Sequence, residues 1–337
     1  KNLEHIYQKE ITATELQREE HFWKKINAEE NSQEVFRTSL WEVLGRIPTP
    51  TEKITPRARL IDQNEKWFRY EVVLDVYPGV FAWGLLTIPT DTREGDRLPV
   101  VVCQHGLEGL PKDVVTTDTT DPKFRPYQGF ATSLAEQGFI TFAPHNPYRG
   151  GDRFRILQRI ANPLGYSLFS IIIAQHEVIL AWLQELPFVD AERIGFYGLS
   201  YGGKSAMRIP AVLDGYALSI CSGDFNEWIR KNVSTSLPYS YMFYGEYEMP
   251  EWNLGRTFNY AEMAALIAPR PFMIEFGYYD GIGRSDWVNY EFGKVRRYYD
   301  LNGWQDRLDK EFFAGPHQIH GVGTFEFLKK HLRPDIR

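Results

Sequence analysis

The segment Gly198-Leu199-Ser200-Tyr201-Gly202 constrains the fold of this chain more than any other feature, because of what lies on either side of it. An apolar run at residues 193–197 precedes it, and residues 203–208 can form a helix. A Gly-x-Ser-x-Gly pentapeptide between a strand and a helix is typical of a tight turn that lifts the serine hydroxyl above the end of a sheet. The two glycines are needed because neighbouring backbone approaches closely on both sides. We therefore expect a buried strand, a strained turn at Ser200 and a helix after it.

From residue 98 onward the chain alternates between apolar runs and helical patterns. This alternation predicts a mainly parallel sheet with helices on both faces. The predicted strands are 98–103, 138–143, 193–197, 216–221, 271–276 and 309–313, and the predicted helices lie near 128–137, 167–186, 203–214, 260–267, 286–299 and 322–332. Two earlier runs, 67–74 and 80–88, flank the turn signal Pro78-Gly79 and are predicted to form an antiparallel pair at the edge of the sheet.

Residues 1–47 have dense charges with apolar residues spaced for one helical face, and Pro48-Thr49-Pro50 ends this pattern. We expect residues 1–55 to form an N-terminal helical arm that packs on a main domain of residues 56–337. The 337-residue length suits one large α/β domain or two small ones.

Charge and hydropathy exclude some classes of function. The net charge of -6 argues against broad nucleic-acid binding, which needs a basic face. No apolar run approaches the roughly 18 residues of a membrane span, and the first residues do not form a signal peptide. Cys103 and Cys221 lie in apolar, strand-like runs, so two buried free thiols are favoured over a disulfide.

A serine hydroxyl becomes nucleophilic when a base takes its proton and a carboxylate orients that base. His317 follows the last predicted strand and a Gly-Pro turn, which makes it the favoured base. Asp280 lies in the loop after the strand 271–276 and is the favoured acid, with Glu275 and Asp224 as alternatives.

His320 is expected to have a structural or substrate-facing role. His317 and His320 could suggest a metal pair, but no carboxylate or cysteine joins them at metal-like spacing. We therefore expect no metal and no other cofactor.

Acyl transfer also needs hydrogen-bond donors for the developing oxyanion. The N–H of Tyr201, directly after the serine, is one candidate. The N–H of Leu107, in the loop Gln104-His105-Gly106-Leu107 after the strand 98–103, is the other. His105 itself is expected to be a buried, hydrogen-bonded histidine that shapes this loop.

Over roughly residues 65–335 the chain resembles the α/β-hydrolase superfamily, and within it the dienelactone hydrolase and acetyl xylan esterase branch, bacterial carbohydrate esterases included. The resemblance implies an α/β-hydrolase fold with a mostly parallel central sheet flanked by helices. The motifs that carry it are Gln104-His105-Gly106, Gly198-Leu199-Ser200-Tyr201-Gly202-Gly203, Ala268-Pro269-Arg270-Pro271, Gly277-Tyr278-Tyr279-Asp280 and Gly315-Pro316-His317.

Lys204 extends the likeness, because a similar Gly-x-Ser-x-x-Gly-Lys pattern occurs in glucuronoyl esterases. There the lysine helps to hold the uronate sugar, so Lys204 is a candidate substrate contact; the alternative is a side chain that points to solvent. The chain has Tyr201 where glucuronoyl esterases have an arginine that donates to the oxyanion, so that donor is missing.

Two further candidates for substrate binding come from loops. Arg149 follows the strand 138–143, where it could clamp a carboxylate or form a loop salt bridge with Asp152 or Glu108. Trp228 belongs to the long aromatic-rich segment 222–259, which either roofs the site or packs back on the domain.

The sequence therefore predicts a serine carboxylic-ester hydrolase that removes methyl esters from uronic acids or O-acetyl groups from plant polysaccharide fragments. A serine peptidase of the prolyl oligopeptidase type and an inactive hydrolase-fold binding protein are the alternatives. The expected partner is a small-molecule or oligosaccharide ester, with no nucleic acid and no membrane, and the oligomeric state stays open. We expect a bacterial periplasmic or secreted location with the signal peptide removed, with the cytoplasm as the alternative.

Overall fold

A computed structural model describes residues 2–26, 30–47, 54–243 and 253–332 of the chain. In these residues, nine strands form one sheet with the order β1-β2-β3-β5-β4-β6-β7-β8-β9. The strands are β1 (Arg57–Gln63), β2 (Trp67–Tyr77), β3 (Val80–Pro89), β4 (Leu98–Gln104), β5 (Ile140–Pro144), β6 (Val189–Leu199), β7 (Leu218–Ser222), β8 (Phe272–Gly277) and β9 (Leu308–Phe313).

The sheet has an antiparallel edge and a parallel remainder. Strands β1, β2 and β3 pair antiparallel in sequence, and β3 pairs antiparallel with β5. Every pairing from β5 through β4, β6, β7 and β8 to β9 is parallel. The carboxyl ends of these six strands therefore lie at one edge of the sheet, where an α/β fold places its ligand site. The predicted mainly parallel sheet with an antiparallel pair at its edge is confirmed.

Helices cover both faces of the sheet. The described helices are α1 (Asn2–Arg18), α2 (Glu30–Leu44), α3 (Pro111–Val115), α4 (Phe124–Tyr127), α5 (Phe130–Ala135), α6 (Asp152–Ala161), α7 (Leu168–Glu185), α8 (Tyr201–Val212), α9 (Trp228–Val233), α10 (Leu254–Thr257), α11 (Tyr260–Ile267), α12 (Ser285–Leu301) and α13 (Gly323–Leu332). Within the ranges described, no single helix is long and apolar enough to cross a membrane.

The period of two in each strand divides the core between the two faces. In β4, Val100 and Val102 pack into a large cluster with α2, α7, α8, α11 and α12, whereas Val101 and Cys103 pack into a smaller cluster with α3, α5 and α13. Cys221 belongs to the large cluster, so the two thiols lie on opposite faces. Both cysteines are buried and free, as predicted.

The N-terminal helices contribute side chains to the main core. Phe22, Phe36, Leu40 and Leu44 are buried in the large cluster. Arg18 lies 3.6 Å from Glu262 of α11, and both side chains are buried. Helices α1 and α2 therefore pack on the face that carries α8 and α11.

The predicted elements leave out strand β1 and five helices, α3, α4, α6, α9 and α10. Every residue of β1 is exposed, so the strand lacks the apolar alternation that would reveal it. Helix α6 begins three residues after Arg149, in a region that we took for a loop. Only Phe154 and Gln158 of its described side chains are buried.

Candidate active site

Ser200 occupies a strained turn between β6 and α8. Its φ is 62° and its ψ is -120°, a conformation that L-residues adopt only when the surrounding structure enforces it. A Cβ on Gly198 would lie 2.3 Å from the carbonyl oxygen of Gly202, and a Cβ on Gly202 would lie 2.3 Å from the carbonyl oxygen of Gln104. Close backbone contacts on both sides therefore require the two glycines of the pentapeptide.

The turn is tied to the neighbouring strand. The N–H of Ser200 donates to the carbonyl oxygen of Ser222 at the end of β7, at 2.9 Å. Ser200 itself is partly exposed, unlike Leu199 and Tyr201 beside it, which are buried. The side chain of Ser200 thus lies at the sheet edge where the parallel strands end.

His317 packs against the next turn along this edge. A Cβ on Gly223, directly after β7, would lie 2.8 Å from Cε1 of His317 and 3.1 Å from Cδ1 of Leu199. Nδ1 of His317 is 2.6 Å from Oδ2 of Asp280. Nε2 of His317 is buried and has no hydrogen-bond partner among the described residues. The imidazole is thus held by Asp280 through one nitrogen, and the other nitrogen is available for a proton.

Glu275, one of the alternative acids, has a different environment. Its Oε2 accepts hydrogen bonds from the hydroxyls of Tyr197 and Ser222, at 2.9 and 2.6 Å. Its Oε1 accepts from the N–H groups of His320 and Gly321, at 3.1 and 2.9 Å, and from the hydroxyl of Thr324 at 3.3 Å. Burial raises the pKa of the Glu275 carboxyl, and the hydrogen bond from Ser222 opposes this shift. The structure places Glu275 under the loop that follows His317, bonded to the backbone of that loop.

His320 also helps to hold the loop that follows His317. Its Nδ1 lies 2.5 Å from Oε1 of Glu311, the β9 residue that pairs with Glu275. Its ring stacks on Phe313 with the centroids 4.4 Å apart. The second oxygen of Glu311 accepts the N–H of Gly323 at 2.9 Å. These contacts give His320 a structural role in holding residues 320–323.

Asp224 and Lys204 form a buried cluster behind the serine turn. Oδ2 of Asp224 accepts a hydrogen bond from the hydroxyl of Tyr260 at 2.5 Å. Burial raises the pKa of Asp224, and the charge of Lys204 opposes the shift. The ammonium of Lys204 lies 4.1 Å from the ring centroid of Tyr201 and 4.3 Å from that of Trp228.

Lys204 is 0% exposed, so a side chain that points to solvent, one of our two expectations for it, is wrong. Trp228 is 1% exposed and stacks on Tyr260 with the ring planes 11° apart. In this arrangement both candidate substrate contacts are enclosed by aromatic rings and present no open surface.

The loop after β4 approaches the serine from the other side. A Cβ on Gly106 would lie 3.1 Å from Cβ of Ser200 and 3.2 Å from the hydroxyl oxygen of Tyr127. That hydroxyl accepts the N–H of Gly106 at 2.8 Å. Leu107 follows in the chain and is 38% exposed. Tyr201 begins helix α8, and the first N–H groups of a helix point out of its end.

His105 shapes this loop from within. Its Nδ1 bonds the carbonyl oxygen of Gly106 at 2.8 Å, and its Nε2 accepts the N–H of Asn146 at 3.3 Å. Its ring stacks on that of His145 with the centroids 5.3 Å apart. Burial lowers the pKa of His105 to about 3 and that of His145 to about 4. Both rings are therefore neutral at pH 7.

Arg149 is exposed in the loop after β5. The loop is anchored by Glu108, whose carboxylate accepts the N–H groups of Gly150 and Gly151 at 2.8 and 2.7 Å. The side chain of Glu108 therefore binds the backbone of this loop. The side chain of Asp152, the other expected partner of Arg149, lies outside the described residues.

The aromatic segment after β7 is described in part. Phe225, Trp228, Phe258 and Tyr260 are buried, so these four pack back on the domain. The side chain of Phe243 and all of Tyr244, Tyr247 and Trp252 lie outside the described residues.

Sequence reasoning missed two residues at this site. Tyr127 follows a long stretch without a motif, and only the fold brings its hydroxyl to Gly106. The support role of Glu275 was also missed, because a carboxylate at the end of a strand gives no signal about the donors around it. An apolar strand that contains a single acidic residue was the one available clue.

The architecture is that of an α/β-hydrolase, as predicted. A model of the prolyl oligopeptidase family matches residues 127–281, which include the serine turn and Asp280. No curated protein sequence matches this chain significantly.

Solved structures show the same fold at low sequence identity. A glucuronoyl esterase from Solibacter usitatus has a TM-score of 0.66 and 16% identity over 90% of this chain and 92% of its own. Methylesterase BT1017 has a TM-score of 0.65 and 16% identity over 92% of this chain and 65% of its own. An acetyl xylan esterase from Paenibacillus sp. R4 has a TM-score of 0.60 and 17% identity over 91% of this chain and 96% of its own.

Proposed function

We propose that this protein is a serine carboxylic-ester hydrolase in which Ser200 is the nucleophile, His317 the general base and Asp280 the acid that orients it. The observation that carries the proposal is the position of the His317 ring. It packs on Gly223 beside the serine turn, with Nδ1 bonded to Asp280 and Nε2 buried without a partner among the described residues. Catalytic hydrogen bonds are often long before substrate binds, so an unbonded Nε2 fits a resting site.

The chemistry follows from these positions. Nε2 of His317 takes the proton of Ser200 as Oγ attacks the ester carbonyl, and the N–H groups of Tyr201 and Leu107 stabilise the oxyanion. Collapse of the tetrahedral intermediate breaks the ester C–O bond, and His317 returns the proton to the departing alcohol. Water, deprotonated by the same nitrogen, then attacks the acyl-enzyme and releases the acid and Ser200. The carboxylate of Asp280 stabilises the imidazolium in both steps.

For the substrate, we propose an ester of a plant-type polysaccharide or oligosaccharide, either a uronic-acid methyl ester or an O-acetyl group. Solved structures with this fold include a methylesterase, a glucuronoyl esterase and an acetyl xylan esterase, which supports a carbohydrate ester. The assay measures methanol and acetate release from methylated and acetylated pectin and xylan fragments. Methanol alone assigns a uronate methyl ester, and acetate alone assigns an O-acetyl group.

Replacement of the nucleophile tests the mechanism directly. We expect Ser200→Ala to lower kcat for ester hydrolysis by at least about 10³-fold and to abolish labelling by a fluorophosphonate probe, because both need the same oxygen. Ser236→Ala, a change of an exposed serine outside the site, is the matched control and should leave both unchanged. Full ester hydrolysis by the Ser200 variant would overturn the proposed mechanism.

A serine peptidase is the second candidate, because the model that matches residues 127–281 describes the prolyl oligopeptidase family. It uses the same triad, so the substrate separates the two functions. Cleavage of proline-containing peptides at rates above those of the carbohydrate esters would establish the peptidase.

A further inference from the structure

Lys231 is buried in α9, on the segment that follows β7. Its side chain is 3% exposed, and its ammonium lies 5.0 Å from the ring centroid of Tyr241 and 5.8 Å from that of Tyr239. The hydroxyl of Ser240 donates to the carbonyl oxygen of Lys231 at 2.9 Å. The chain thus folds back on this lysine, with residues 239–241 gathered around it.

The ammonium of Lys231 also donates a hydrogen bond to the carbonyl oxygen of Ile282, in the loop after β8. The N–H of Ile282 in turn donates to Oδ1 of Asp280 at 3.1 Å. The other oxygen of Asp280 is the one bonded to Nδ1 of His317, at 2.6 Å. One residue of backbone therefore separates the buried ammonium from the carboxylate that holds the histidine.

Further contacts press the two segments together. A Cβ on Gly283 would lie 2.8 Å from the Phe276 ring and 3.7 Å from Nδ2 of Asn226, so the loop fits between β8 and the start of the α9 segment. Burial raises the pKa of the Tyr239 hydroxyl; the charge of Arg284 opposes this shift, and the carboxylates of Asp286 and Asp280 add to it. Tyr239 therefore lies near the same loop.

We propose that Lys231 is a positioning residue that fixes the loop 280–284, and through Ile282 the carboxylate of Asp280, in the geometry that orients His317. This inference rests on the proposed serine-hydrolase function. Lys231 is too deeply buried to meet substrate, so its effect is transmitted through Asp280. Triad geometry is sensitive to shifts of about 1 Å, which can lower a rate by about 10²-fold.

The test compares Lys231→Met, Lys231→Arg and Arg230→Met. Methionine keeps the aliphatic stem and removes the donor, whereas arginine keeps a charged donor for the Ile282 carbonyl. Arg230 is the adjacent cation of the same helix, and its side chain is directed at Glu227, 3.9 Å away. Each variant is assayed for kcat and KM on the ester that the wild-type enzyme prefers and for the rate of fluorophosphonate labelling, with the melting temperature as a check on folding.

We expect Lys231→Met to lower kcat about 10- to 100-fold and the labelling rate in parallel, with KM within about twofold of wild type. Lys231→Arg should recover most of both rates, and Arg230→Met should leave them unchanged. An equal rate for Lys231→Met and wild type would overturn the positioning role. Failure of Lys231→Arg to restore the rates of a folded enzyme would also overturn it. A loss that a charged donor does not restore is not caused by the missing donor.

The wild-type enzyme separates this inference from the function on which it rests. Absence of both ester hydrolysis and labelling in the wild type would overturn the proposed function itself. Labelling of wild type and Lys231→Met at the same rate would leave the function in place and remove only the role of Lys231.

Discussion

The carboxylates of Glu275 and Asp280, five residues apart at the end of β8 and in the loop after it, have different environments. Glu275 inside β8 accepts hydrogen bonds from three hydroxyls and two backbone N–H groups. Asp280 in the following loop meets the imidazole of His317 with one oxygen and the N–H of Ile282 with the other.

These two environments suit the two carboxylates to different roles. A carboxylate surrounded by five fixed donors has no capacity left for an imidazole that must gain and lose a proton. A carboxylate bonded to Nδ1 of histidine stabilises the charge that forms there. Under the proposed mechanism, Glu275 holds the loop that carries His317, and Asp280 orients His317.

The largest expected effect is that of Asp280→Asn. An amide can bond Nδ1 in the wrong tautomer and carries no charge to stabilise the imidazolium, so kcat should fall by about 10⁴-fold. The melting temperature should change little, because the loop keeps its backbone contacts. Steady-state kinetics and thermal unfolding measure the two quantities. Nearly full activity in Asp280→Asn would remove the distinction between the two carboxylates.

The second test replaces Glu275 by Leu and by Gln. Leucine removes the acceptor of five buried donors, and we expect a loss of about 3–5 kcal/mol in the free energy of unfolding. Glutamine can accept the two N–H groups with its oxygen and donate to the Ser222 and Tyr197 hydroxyls with its nitrogen, so its loss should be below about 2 kcal/mol.

The kcat of Glu275→Gln also distinguishes the role of Glu275 from that of Asp280. Glu275→Gln should keep kcat within about tenfold of wild type, whereas Asp280→Asn should not. Denaturant unfolding gives the stabilities, and kcat is measured on the folded fraction. A 10⁴-fold loss in Glu275→Gln would identify Glu275 as the triad acid instead.

The smallest expected effect concerns His145, whose ring stacks on His105 in the loop after β4. Burial holds the pKa of His145 at about 4, below the value of 6.5 for an exposed histidine. Between these values the unfolded chain binds the proton and the folded protein does not, so stability falls as pH falls from about 6.5 toward 4. Replacing His145 by Gln should remove this component and make the variant about 1–2 kcal/mol less sensitive to acid at pH 5 than wild type.

Urea unfolding of the wild type and His145→Gln at pH 7.5 and pH 5 measures this difference. His176→Gln serves as a comparison variant. Burial also lowers the pKa of His176, in this case to about 3, but the ring nitrogens of His176 contact Tyr216 and Asn146 in the interior. Identical acid sensitivity in wild type and His145→Gln would show that His145 gains its proton in the folded state.

Much of this arrangement could be read from the sequence. The strand–turn–helix around Ser200 was predictable because the two glycines and the apolar run that precedes them are local signals. The position of His317 after the last strand followed from the same logic. The carboxylate that contacts His317 was harder to predict, because Asp280, Glu275 and Asp224 all follow or end strands at the same edge of the sheet. Only the directions of their side chains distinguish them.

Other parts lay beyond local patterns. Strand β1 is exposed along its whole length, and its place comes from pairing with β2 rather than from burial. Lys204 follows a motif, but Trp228, whose ring lies against its ammonium, is more than twenty residues further along the chain.

The sequence by itself determined most of the strands and helices after residue 65, the turn at Ser200 and the place of His317 after the last strand, because periodicity and glycine requirements act over a few residues. The tertiary structure decided which carboxylate reaches the histidine and which is satisfied beneath it. It also decided that Lys231 reaches the loop after Asp280 and that Tyr127 reaches Gly106. Those outcomes depend on hydrogen bonds between segments distant in the chain, and such bonds form only when the parallel strands bring their ends together.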